Sequence, residues 1–169
     1  MRHLGEHGDE ALELPEDTDV TDAVALADAV KALGPGAICH LAAQSSVQRS
    51  WEDPQGTFAV NAVGTLNLCT IAGQLAPPPR VLLISSAEVY GRVPPSRMPV
   101  VEDEPFAPAT PYAASKAAAE VIGIQAWLGR GVEVVRARAF NHTGPGQPRG
   151  FVVPDLAAQV ARAARGDLD

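Results

Sequence analysis

Aromatic residues are scarce in this 169-residue chain: two Trp, two Tyr and four Phe, 5 % of the total. A core must therefore be built from Ala, Val and Leu, and the 46 % hydrophobic content is enough at this length to fill one domain. Lysine is scarcer still, two residues against eleven Arg. No basic stripe with interleaved aromatics appears, so no nucleic-acid partner is expected. No apolar run approaches membrane-spanning length and no charged-then-apolar leader opens the chain. That excludes a membrane partner and makes the cytoplasm the expected compartment. The only cysteines, Cys39 and Cys69, fall in apolar stretches without metal-ligand spacing. They read as two buried thiols in a reducing compartment, with no metal site. The net charge of −7 is uneven, because eight acids and one Arg crowd residues 1–22 while the remainder balances.

What is present alternates. Residues 1–20 are acidic and poorly patterned, with a short strand possible just before Asp19. Thr21 or Asp22 caps a helix through Leu33, stopped by Gly34-Pro35-Gly36. Ala37–Leu41 reads as a short buried strand. Asp53-Pro54 opens a helix to about Leu75, and Gly64 inside it implies close backbone packing. Arg80–Ser86 is a second strand, residues 91–111 a proline-rich loop, 112–129 a helix, 132–138 a third strand, and 154–165 a last helix. Short apolar strands alternating with long helices predict an α/β chain with a parallel sheet covered on both faces. In such sheets ligands bind beyond the carboxyl ends of the strands. Leu41–Ser45, Ser85-Ser86 and Ala139–His142 all fall at strand ends.

Tyr112 and Lys116 stand four residues apart at the start of the Ala-rich helix, so both side chains point to one spot. Ser86, ending the apolar run Val81–Ser86, is placed to bring a hydroxyl there. A phenol titrates near pH 10, and a neighbouring ammonium lowers that value by stabilising the phenolate. Such a trio makes a proton shuttle with a hydrogen-bonding partner for a substrate oxygen. The plainer alternative is an exposed helical lysine beside a packed tyrosine.

At these residues the chain resembles the extended short-chain dehydrogenase/reductases of the NAD-dependent epimerase/dehydratase family, which act on nucleotide sugars. The likeness runs from about Asp19 to Ala164 and implies a partial Rossmann-like, doubly wound parallel sheet with flanking helices. It implies Ser86, Tyr112 and Lys116 as catalytic triad. NADP or NAD would be held by Asp19 and Val20 at the adenine and by Leu41, Ala42, Ala43 and Gln44 under the cofactor. Asn61, Tyr112, Lys116, Phe140 and His142 complete that set, while Ser45, Ser86 and Asn141 would meet the substrate. The segment Arg138-Ala-Phe-Asn-His-Thr-Gly-Pro-Gly-Gln147 is similar to that of GDP-4-keto-6-deoxymannose reductases and GDP-mannose 4,6-dehydratases, so the implied substrate is a GDP-linked nucleotide sugar. Family resemblance also implies a homodimer through helices 54–75 and 112–129.

Two features bear on what the chain does. Glu88, in Ser86-Ala-Glu-Val-Tyr-Gly91, matches the dehydratase base, but Ala87 offers neither acid nor hydroxyl for departing water, which favours a reductase over a dehydratase or epimerase. Glu88 as a merely solvated carboxylate stays open. The family's opening strand, Gly-x-x-Gly-x-x-Gly turn and helix find no counterpart: Gly5 and Gly8 have the first interval, but position 11 is Ala. The expected organisation is an acidic segment over 1–18 and a partial NAD(P)-binding domain over 19–169, without the first βαβα unit and the C-terminal substrate domain. A truncated, inactive family fragment or an interaction module is the alternative of another class.

Overall fold

Local signals set the element boundaries in the computed structural model, which describes residues 10–15 and 17–167. The carboxylate of Asp22 accepts from the backbone N–H groups of Val24 and Ala25, both at 3.0 Å, and starts α1 (Ala23–Leu33). Gly34 ends it in the left-handed region, as the sequence predicts. After β1 (Ala37–His40) comes α2 (Val47–Glu52), an element the sequence reading leaves out. Asp53 then caps α3 (Pro54–Phe58) by accepting from Gly56 at 2.8 Å. The run continues through a π-helical turn over Ala59–Val63 into α4 (Gly64–Ala72), a few residues short of the expected end. Next are β2 (Arg80–Ser86), α5 (Pro111–Arg130), β3 (Val134–Ala139) and α6 (Val152–Ala164). The third strand starts two residues later than expected, because Val132 is packed in the core and its N–H donates to Ala126.

The three strands are parallel in the order β1-β2-β3, so β2 is central. Register puts Ile38, Val81 and Val134 in one row, and His40 and Leu83 in the next row on that face. Leu26, Val30, Leu68, Cys69, Ile71, Ala72, Val81, Ala126 and Val132 form one core, aliphatic as the composition requires. The opposite row, Cys39, Leu82 and Val135, differs: Cys39 is exposed and Val135 is 49 % exposed. The expectation of two buried thiols thus holds for Cys69 and fails for Cys39, which lies on edge strand β1 with its side chain on the opposite face.

No strand forms among the described residues ahead of Asp19; the N–H of Thr18 closes a turn on Pro15 instead. Gly5 and Gly8 lie outside the described residues. Close packing at Gly64 is present: a Cβ there would lie 2.6 Å from Val20 Cγ2. Asn67, one turn on, donates from Nδ2 to the Val20 carbonyl at 3.0 Å, so α4 holds the Asp19–Thr21 turn in place. The chain divides into two compact units, one up to Ala139 and one from Phe140. Among the described residues no helix is long and apolar enough to cross a membrane.

Candidate active site

Strand β2 ends on Ser86, whose hydroxyl accepts from the N–H of Glu88 at 3.2 Å and starts a 3-10 turn over Ala87–Tyr90. Thr110 caps α5 through Ala113, and Pro111 at the first helical position sets the start, so Tyr112 lies in the first turn. The phenol of Tyr112 lies near enough to the Ser86 hydroxyl for that group to favour the phenolate. One turn on, Lys116 is 7 % exposed and donates from Nζ to the carbonyl of Ile84 at 2.9 Å. The structure therefore brings Ser86, Tyr112 and Lys116 together at the carboxyl end of the central strand. An exposed surface lysine is ruled out.

The electrostatics depart from the sequence expectation in one respect. Tyr112 is held above its ordinary value, chiefly by burial, with the Glu88 carboxylate adding to the rise and the Ser86 hydroxyl opposing it. Lys116 is lowered by its own burial. A phenol kept protonated is suited to giving a proton rather than taking one. Glu88 is exposed, near enough for its charge to act on Tyr112.

Asn61 sits in the π-helical turn, a deviation that often marks functional positions. Its Oδ1 accepts from the Gln44 N–H at 2.8 Å, and its Nδ2 donates to the Gln44 carbonyl at 3.0 Å and to Ser115 Oγ at 2.9 Å. Ser115 in turn donates to the carbonyl of Tyr112 at 2.7 Å. One buried amide thus ties the Leu41–Ser45 segment to the first turn of α5. Leu41, Ala42 and Ser45 are exposed along this segment, while Ala43 and Gln44 are half-buried. Ser115 was missed by sequence reasoning, although it lies inside the Tyr112–Lys116 run. Asp19 accepts from Thr21 through backbone and hydroxyl at 2.8 Å, contacts that hold its carboxyl below the usual range. Phe140, Asn141 and His142 belong to the second unit; all three are exposed there, and His142 Nδ1 lies 2.8 Å from the carbonyl of Phe140.

His40, at the end of β1, is buried just ahead of this segment. Thr65 commits its hydroxyl proton to the Asn61 carbonyl at 2.6 Å, so His40 Nε2, 3.1 Å away, is the donor to Thr65. Burial and then the charge of Lys116 push His40 down to about 4 from 6.5. The folded value is the lower one, so between these two values the unfolded chain binds more protons. This contribution to stability is complete above pH 6.5 and is lost as pH falls toward 4, a loss of about 3 kcal/mol. Urea unfolding across that window will show the slope, and His40→Gln will flatten it; an equal slope in both proteins would exclude His40 as its source.

A parallel sheet with helices, and polar groups gathered at the end of its central strand, defines a Rossmann-like α/β protein of the nucleotide-binding type. Residues 2–169 match the family described as GDP-mannose 4,6 dehydratase, and the chain belongs to that family. GDP-6-deoxy-D-mannose reductase from Pseudomonas aeruginosa is 39 % identical over 155 residues, which is 92 % of this chain and 51 % of that protein. The solved structure of RMD from Pseudomonas aeruginosa complexed with NADPH superposes with a TM-score of 0.86 at 36 % identity, over 99 % of this chain and 60 % of that one. DesIV, a dTDP-glucose 4,6-dehydratase from Streptomyces venezuelae solved with NAD and TYD bound, gives 0.78 at 32 %, over 86 % and 44 %. The chain spans about half the length of the curated reductase it matches.

Proposed function

We propose that this chain carries the catalytic portion of a nicotinamide-dependent nucleotide-sugar oxidoreductase that reduces the C4 ketone of GDP-4-keto-6-deoxymannose. The observation that carries the reading is the convergence of Ser86, Tyr112 and Lys116 at the end of β2, in a family member 39 % identical to a GDP-6-deoxy-D-mannose reductase. The residues present suit a dinucleotide. A buried ammonium beside a phenol matches a ribose diol next to a reacting ring, and the exposed Leu41–Ala42 shelf offers apolar contact. Lys116 would hold the nicotinamide ribose and Asp19 the adenine, with Val20, Ala43, Gln44 and Asn61 completing the cradle for NADP or NAD. When bound, the nicotinamide supplies the hydride. Tyr112 gives its proton to the developing C4 alkoxide, Ser86 hydrogen-bonds to that oxygen, and solvent restores the phenol. Ser45 would contact the nucleotide sugar.

One observation favours a second reading: the carboxylate of Glu88 acts on Tyr112, where a dehydratase would keep its base. Ala87 beside it supplies no group for water loss, so the reductase is preferred. Homodimerisation belongs to the same proposal, through the 54–72 helical run and α5, which leave Val63, Leu66, Val121 and Leu128 exposed.

The test is to supply GDP-4-keto-6-deoxymannose with NADPH or NADH and follow the loss of reduced-cofactor absorbance. Stoichiometric oxidation supports the reductase. Conversion of GDP-mannose to a keto sugar without net cofactor loss would replace it with the dehydratase. If calorimetry finds no binding of either dinucleotide, the chain is an interaction module or inactive fragment.

A further inference from the structure

Glu120 is fully buried, yet it is a carboxylate, and three side chains close on it. Arg138 forks it, with Nε 2.9 Å from Oε1 and Nη2 2.8 Å from Oε2. Ser85 Oγ donates to Oε1 at 2.6 Å, and Arg136 Nη1 stands 3.4 Å from Oε2. The remaining Nη1 of Arg138 donates to Tyr90 Oη at 2.9 Å and to the Glu102 carbonyl at 2.7 Å. Its guanidinium carbon lies 4.9 Å from the ring centres of both Tyr90 and Phe106. One carboxylate therefore links α5, β2 and β3, and through Arg138 the segment that follows Ser86.

Stability alone is a weak reason for such an arrangement, since a buried ion pair roughly breaks even against well-packed apolar side chains. Its position gives a better one. Tyr112, Lys116 and Glu120 follow at four-residue intervals on α5, and they meet the last three residues of β2: Tyr112 meets Ser86, Lys116 the carbonyl of Ile84, and Glu120 the hydroxyl of Ser85. Two of these contacts are the proposed chemistry, and the third touches no reacting atom. It is the only one of the three anchored from outside α5, by the Arg138 fork.

We propose that Glu120, held by Arg138, is a positioning residue whose bond to Ser85 fixes the end of β2 so that the neighbouring Ser86 hydroxyl meets the Tyr112 phenol. The consequence for turnover rests on the reductase reading; the geometric claim does not. Ser85→Ala tests it most cleanly, because Glu120 keeps its Arg138 partner. The chain has only two tyrosines, so phenolate absorbance against pH, compared with Tyr112→Phe, isolates Tyr112 without cofactor or substrate. Around that phenol stand Ser86, Glu88 and Lys116. Released from Ser86, it should titrate higher by roughly half a unit to one unit, the equivalent of one hydrogen bond to the phenolate. Ser85→Thr, which restores the hydroxyl, should return the native titration. Where the chain turns over ketone, Ser85→Ala should lower kcat about tenfold with KM unchanged, and Ser85→Thr should recover it. A Ser85→Ala protein that titrates like the native chain, or that only melts earlier, would overturn the proposal even if reduction is observed. A shifted titration in a chain that reduces nothing would uphold it while the reductase reading fails.

Discussion

On the proposed reductase reading, Tyr112→Phe should lower the turnover of C4-ketone reduction by about 10²–10⁴-fold, the range lost when a positioned proton donor is removed. The ring stays, so packing in the first turn of α5 is kept and only the phenolic oxygen goes. That oxygen lies beside Ser86 at the end of β2, on a residue one helical turn from a lysine that is 7 % exposed. Without it, Ser86 can still bond to the alkoxide, but an aliphatic hydroxyl is a far weaker proton donor than a phenol. The raised phenol adds a pH signature. Reduction uses the protonated form, so its rate holds through neutral pH and falls only as the phenol ionises. Oxidation of the alcohol product uses the phenolate and speeds up as pH rises. Steady-state kcat in both directions measures this, with calorimetric cofactor affinity as the control for folding. Near-native turnover by the Phe variant would remove Tyr112 from the reaction, and with it the main support for redox chemistry.

The features legible in the sequence were those whose causes are local. Asp22, Gly34 and Asp53 act on helices within a few residues of themselves, so the starts of α1 and α3 and the stop of α1 could be read from side-chain chemistry. The Tyr112–Lys116 spacing is likewise a property of one helix, and Ser86 followed from the end of an apolar run. The missed features need partners distant in the chain. Ser115 matters because Asn61, 54 residues away, donates to it. Glu120 matters because Ser85 and Arg138 close on it from two strands, 35 and 18 residues away. Cys39 illustrates the opposite failure: an apolar neighbourhood in sequence says nothing about which face of an edge strand is covered. Lys116 shows a third kind, where the residue is buried one turn from Tyr112 as the spacing suggests, yet it is burial and the Glu88 charge that set the direction of the phenol's shift.

Arg138→Met should be the most damaging substitution for stability, at about 3–5 kcal/mol, because it leaves a buried carboxylate without its main counter-charge. Methionine occupies similar volume and can still touch Tyr90 and Phe106, so the loss comes from charge and hydrogen bonding rather than from a cavity. Arg136 at 3.4 Å is too distant and too exposed to replace the fork. Urea unfolding at neutral pH measures the deficit as a fall in midpoint at unchanged slope. The double variant Glu120→Leu with Arg138→Met separates charge from shape. If the penalty is the orphaned carboxylate, removing that carboxylate restores most of the midpoint, because an apolar pair of similar size fills the same space. A double variant no more stable than Arg138→Met alone would mean that the fork to Tyr90 and Glu102, and not the neutralisation of Glu120, is what Arg138 contributes. The restored double variant would still lack the Ser85 bond, and its Tyr112 should titrate high. A protein that is stable yet has a displaced phenol would distinguish holding the fold from aiming the site.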